Sequence, residues 1–88
     1  MSWRIEYLAS AAKGFRKIAP QQRQRIRAFL EQRVVALEHP RQLGKPLKGE
    51  LTELWRYRVG DYRVICQIQD DRLVVLVVRA AHRKDIYD

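Results

Sequence analysis

Three arginines fall at alternating positions in "LWRYRVGDYRVI": Arg56 and Arg58, then Arg63 after a turn at Gly60-Asp61. Side chains alternate along a strand, so Arg56 and Arg58 share one face while Trp55, Tyr57 and Val59 share the other. The two arginines stand roughly 6.5 Å apart along the strand, close to the spacing of neighbouring phosphates in an extended nucleic-acid chain. In the following strand Tyr62, Val64, Cys66 and Ile68 form the apolar set, which leaves Arg63 on the basic face together with Ile65. The hairpin can set Arg63 beside either Arg56 or Arg58. Like charges placed opposite each other destabilise a sheet, and a bound phosphate would relieve that repulsion. A solvated basic outer face is the plainer alternative.

The tail "HRKDIYD" adds a titratable His82, a fixed cation at Arg83 and a phenol at Tyr87, all just after the last strand. Ends of strands are where a rigid sheet presents side chains to a ligand. His39, beside Pro40 at a helix end, reads as structural or merely exposed. Cys66 lies inside an apolar run and reads as a small buried hydrophobe. No phosphate-binding glycine loop and no metal-binding Cys/His spacing occurs, and His39 and His82 belong to different elements. A zinc site is therefore not expected, and no cofactor-binding motif is present.

Positioning these groups requires a small α+β domain. The 88 residues suffice for one core, so residues 1–88 are expected to form a single domain. Hydrophobic residues make up 47% of the chain, which argues for a packed fold although 32% is charged. The net charge of +8, carried mainly by arginine, favours polyanionic partners. No apolar run approaches the roughly 20 residues of a membrane span, and Arg4 and Glu6 interrupt any leader-like start. A cytoplasmic protein is expected.

"WRIEYL" alternates as a strand, and "SAAKGFRKI" reads as a helix capped by Ser10 and weakened by Gly14. Pro20 opens a second helix running to about Glu38, with Ile26, Phe29, Leu30, Val34 and Leu37 facing inward. "RQLGKPLKGELTE" reads as a connector. Three strands then follow as an antiparallel meander, turning at Gly60-Asp61 and Asp70-Asp71. The last of them, apolar on both faces, is expected to be central in the sheet or covered on both sides. A helix pair on one face of a mainly antiparallel sheet is the arrangement these elements predict.

Taken together, "PLKGELTELWRYRVGDYRVICQI" and the ending "HRKDIYD" resemble toxins of the RelE/ParE superfamily, the toxin half of bacterial type II toxin–antitoxin pairs, over essentially the whole chain. The resemblance is greatest to the RelE branch, whose members cleave mRNA in the ribosomal A site. It implies a RelE-like fold, the ribosome and mRNA as targets, and a RelB-like antitoxin as partner. It implies catalytic roles for Arg63, Arg83 and Tyr87, with His82 at an often basic position. Arg56, Arg58 and Lys48 would hold phosphates. Well-studied members carry lysines where this chain has Arg56 and Arg58. A guanidinium does not release its proton as an amine can, so a base role at that position does not carry over. Two other readings remain open: a ParE-like gyrase inhibitor that cuts no RNA, and a basic module that binds RNA or an acidic protein without catalysis.

Overall fold

A computed structural model describes residues 2–47 and 54–86. In chain order it contains β1 (Arg4–Tyr7), α1 (Ala9–Phe15), α2 (Pro20–Ala28), β2 (Lys45–Pro46), β3 (Leu54–Val59), β4 (Tyr62–Gln69) and β5 (Val74–His82). The strands form one mixed sheet in the order β1-β5-β4-β3-β2. β1 runs parallel to β5, while β2, β3, β4 and β5 pair antiparallel in succession. The apolar β5 thus lies inside the sheet, as its composition predicts.

The helices pack on one face. Ala11 and Phe15 of α1, and Ile26 of α2, are buried against Tyr57, Val64, Cys66, Val75 and Val77 of the sheet. Ile26 is one of the inward positions expected from periodicity. Burial pushes the Cys66 thiol up, which leaves it inert at neutral pH. α2 does not continue as a regular α-helix. Its last turns widen over Phe29–Val34, where the Val35 N–H reaches the Leu30 carbonyl at 3.2 Å, and Leu30 and Val34 still face the core. The expected Ser10 cap is not formed. Leu8 occupies the N-cap without a side-chain bond, and the Ser10 hydroxyl donates instead to the Val78 carbonyl at 3.2 Å.

The connector after α2 is more ordered than its composition implies. Pro40–Gln42 form a single 3-10 turn, capped by the His39 side chain. Tyr57 and Trp55 then pin it: the Tyr57 hydroxyl donates to the Pro40 carbonyl and the Trp55 indole N–H to the Leu43 carbonyl, each at 2.7 Å. The short β2 follows and adds an outer strand that the sequence had hidden in a loop.

His39 is structural, as its position suggests. Its Nε2 lies 3.0 Å from Asp70 Oδ1, and Arg41 grips both Asp70 oxygens at 3.0 and 3.1 Å. This ties the connector to the β4–β5 turn. The Arg41 hydrogen bond first, then that of His39, hold the Asp70 carboxyl below its ordinary range. A depressed folded-state pKa gives stability that is present above the unfolded value of roughly 3.9 and is lost as the pH falls through the folded one. The carboxylate is exposed, so Asp70→Asn should cost no more than about 1 kcal/mol at pH 7. Urea unfolding of both proteins should show that difference shrinking as the pH is lowered below roughly 4.

Candidate active site

The β3–β4 hairpin fixes the register that the sequence left open. Gly60 takes φ +59 at the first central position of its two-residue turn, where a side chain is disfavoured. Val59 therefore pairs with Tyr62, Arg58 with Arg63, and Arg56 with Ile65. Directly opposed residues share a face of the sheet. Arg58 and Arg63 are thus cross-strand neighbours, and Arg56 lies one pair further along the same face.

β2 extends this face. Lys45 pairs with Arg56, so one row across the sheet reads Lys45, Arg56, Ile65, Arg79. Lys45 is a basic neighbour that sequence reasoning missed, because a two-residue strand ending in proline carries no alternation to detect. The row is not wholly polar. Ile65, Leu47 and Ile86 form a small buried cluster on this side, which the C-terminal segment covers through Ile86.

At the hairpin end, Arg63 Nη1 donates to the carbonyls of Gly60 and Tyr62 at 3.3 and 3.2 Å, which holds the guanidinium in place. Arg83 arrives from the other strand end. Its backbone N–H donates to the Asp61 carbonyl at 2.8 Å, and its Nε lies 3.9 Å from Asp61 Oδ1. Partial burial first, then Arg58, Arg56 and Arg83 in turn, push the Arg63 pKa below its ordinary value, with Asp61 opposing. The four guanidinium groups therefore share one electrostatic field. It is unfavourable when unoccupied and suited to an anion with several oxygens.

His82 does not join this group. It pairs with Tyr62, whereas Arg63 pairs with Ala81, so His82 and Arg63 occupy opposite faces by simple alternation. Its ring sits edge-on to that of Tyr62 with centroids 5.5 Å apart, on the side where Tyr62 packs against the helix-covered core. Its Nδ1 accepts from the Lys84 N–H at 3.2 Å and caps a 3-10 turn, Arg83–Asp85. His82 and Arg63 thus flank the same hairpin end from opposite sides of the sheet. Two further expected site residues, Lys48 and Tyr87, lie outside the described residues.

A mixed five-stranded sheet backed by two helices, with arginines converging at one end, defines a known class. The family described as ParE toxin of type II toxin-antitoxin system, parDE, matches residues 5–87, and the chain belongs to it, within the RelE/ParE superfamily. Toxin RelG of Mycobacterium tuberculosis is 30% identical over 89 residues, covering 99% of this chain and 98% of that protein. Toxin RelE of the same organism is 41% identical over 51 residues, 58% of this chain and 53% of that one. Among solved structures, the toxin–antitoxin complex RelBE2 of M. tuberculosis matches with a TM-score of 0.85 at 26% identity, covering 97% of this chain and 95% of that chain. A mutant E. coli RelE toxin in the free state matches with a TM-score of 0.77 at 23% identity over 96% of this chain and 86% of that one, a likeness of fold alone. No helix among the described residues is long and apolar enough to cross a membrane.

Proposed function

We propose that this toxin is an endoribonuclease that cleaves mRNA on the ribosome, using the RNA's own 2′-hydroxyl as nucleophile. The observation that carries the reading is the placement of Arg58 directly opposite Arg63, with Arg56 further along the same face and Arg83 tied to the same hairpin end. In-line attack forms the bond from the 2′-oxygen to phosphorus and breaks the bond from phosphorus to the 5′-oxygen. The products are a 2′,3′-cyclic phosphate and a 5′-hydroxyl end. Charge gathers on the phosphoryl oxygens in the transition state. Arg63 and Arg83, already fixed at the hairpin end, stabilise it without reorganising. Arg56 and Arg58, with Lys45 beside Arg56, hold the flanking phosphates, a role the resemblance also assigns to Lys48.

The resemblance assigns Tyr87 as the base that takes the 2′-hydroxyl proton. A phenol titrates near 10, so it depends on the arginine field to ionise more readily. With His82 on the other face, the departing 5′-oxygen takes its proton from water or a ribosomal group. Tyr87→Phe is expected to slow single-turnover cleavage by roughly 10²-fold or more, the usual scale of lost acid–base help, with RNA affinity little changed. An equal rate would move the base role elsewhere. The reading as a whole is tested by mapping mRNA ends in translation reactions with and without the protein. Intact messages would reject it.

Solved relatives that are toxin–antitoxin complexes, RelBE2 among them at 26% identity, support a RelB-like antitoxin as partner. An acidic, partly disordered chain would suit the +8 surface. The matching family carries the ParE name, which keeps a gyrase-directed reading in view. Supercoiling assays run beside the end mapping separate the two.

A further inference from the structure

We propose that the cleft between α1 and the far end of β5 is a nucleobase pocket, which takes an unstacked base from the RNA strand whose phosphate rests on the arginine group. The inference depends on the ribonuclease reading and adds a subsite on the opposite side of the sheet.

The cleft arises from how two elements end. β1 pairs only with Val74 to Val77, so beyond Val77 no strand flanks that side of β5 among the described residues. There α1 takes its place, and Gly14 puts no side chain between helix and strand. A Cβ at Gly14 would meet the Ala80 carbonyl at 3.5 Å, an ordinary contact, so tight packing does not require the glycine. Glycine is also a poorer helix former than alanine. What it leaves open is a cavity of about 510 Å³ walled by Ser10, Gly14, Lys17, Tyr62, Ala80 and His82. A second cleft of about 300 Å³ shares Tyr62 and His82 and adds Gln22, Arg25 and Asp61. Both volumes fall within the usual range of small-molecule sites, about 300–1,000 Å³.

The walls suit a base. Tyr62 and His82 supply two half-buried aromatic surfaces at 77° to each other. Because His82 Nδ1 accepts from Lys84 N–H, the neutral ring carries its proton on Nε2 and presents a donor. Lys17 and Arg25 place cations along the two clefts. Aromatic surfaces for stacking, donors for carbonyl oxygens and cations for phosphate are the features that hold single-stranded RNA. An acidic peptide would use the cations but not the rings.

The cleft is also continuous with the arginine face. Tyr62 and Arg63 point to opposite sides of the sheet, and Arg83, in the turn that follows His82, is tied back to the same hairpin end. The rim between them is the Gly60-Asp61 turn, closed by the Arg83 N–H on the Asp61 carbonyl at 2.8 Å. A strand of RNA crossing that rim sets a phosphate on one face and a neighbouring base in the cleft.

The test uses a tetranucleotide with a 2′-deoxy sugar at the scissile position, and twins abasic at each position in turn. Ring signals of Tyr62 and His82, and the Arg63 Nε–H signal, are followed by NMR. The intact oligonucleotide should move all three. One abasic twin should lose the ring shifts, keep the Arg63 shift and bind about tenfold more weakly. Gly14→Met, whose Cβ would make only an ordinary contact with the Ala80 carbonyl, should fill the cavity from the helix and reproduce that loss in binding with a melting temperature no lower than wild type, and Tyr62→Leu should reproduce the loss in binding. Rings unmoved while Arg63 responds, rings moved equally by every twin, or wild-type binding by Gly14→Met would each overturn the pocket and leave the ribonuclease reading intact. Silence at all three signals would overturn both.

Discussion

Arg63→Ala should slow mRNA cleavage on programmed ribosomes by roughly 10²–10³-fold, the usual loss when one preorganised donor to the transition-state charge is removed. The expectation follows from where Arg63 sits. It faces Arg58 across the hairpin, and Arg56 and Arg83 act on it as well. Two backbone carbonyls, those of Gly60 and Tyr62, hold its guanidinium in position. Arg63→Lys keeps the charge but loses the planar fork, so it should recover only part of the rate. The same substitution to alanine removes a group that repels its neighbours, and the folded protein should melt at the same temperature or slightly higher. That opposite movement of activity and stability distinguishes a charge held for function from one held for structure. Raising the salt concentration should weaken RNA binding by the wild-type protein more steeply than by Arg63→Ala, since one phosphate contact fewer releases fewer counterions. Wild-type rates from both Arg63→Ala and Arg83→Ala would sink the electrostatic account.

Gly44→Ala should be the most damaging small change to the fold, costing about 2–3 kcal/mol or more in urea unfolding. Gly44 takes φ +78, and a Cβ there would stand 2.4 Å from the Arg56 carbonyl oxygen and 2.6 Å from Trp55 Nε1. The first of these is backbone, so relief requires moving either the connector or β3. Moving the connector pulls on the Trp55 bond to the Leu43 carbonyl and on the pairing of Lys45 with Arg56. The variant should therefore lose RNA affinity along with stability. A melting temperature within a degree of wild type would show that the connector has room to shift.

Much of this protein was legible in its sequence. Alternation in "LWRYRV" and "YRVICQI" assigned Tyr57, Val59, Val64, Cys66 and Ile68 to the core, and all are buried. Helical spacing did the same for Ile26, Leu30 and Val34. Both are local signals, because burial of one face imposes the period of the element itself. The positions of Arg56, Arg58 and Arg63 on one side of the sheet followed from the same rule. Three things did not follow. The pairing of Arg58 with Arg63 depends on the turn conformation at Gly60, which composition only permits. β2, and with it Lys45, is held by Tyr57 and Trp55 gripping the connector, contacts between residues far apart in the chain. The separation of His82 from Arg63 depends on which β5 residue stands opposite Tyr62. That register is shifted by an irregularity between Ile65 and Cys66 that no single-strand pattern announces. Periodicity tells which residues share a face of their own strand; only the pairing of strands decides which faces, and which charges, come together.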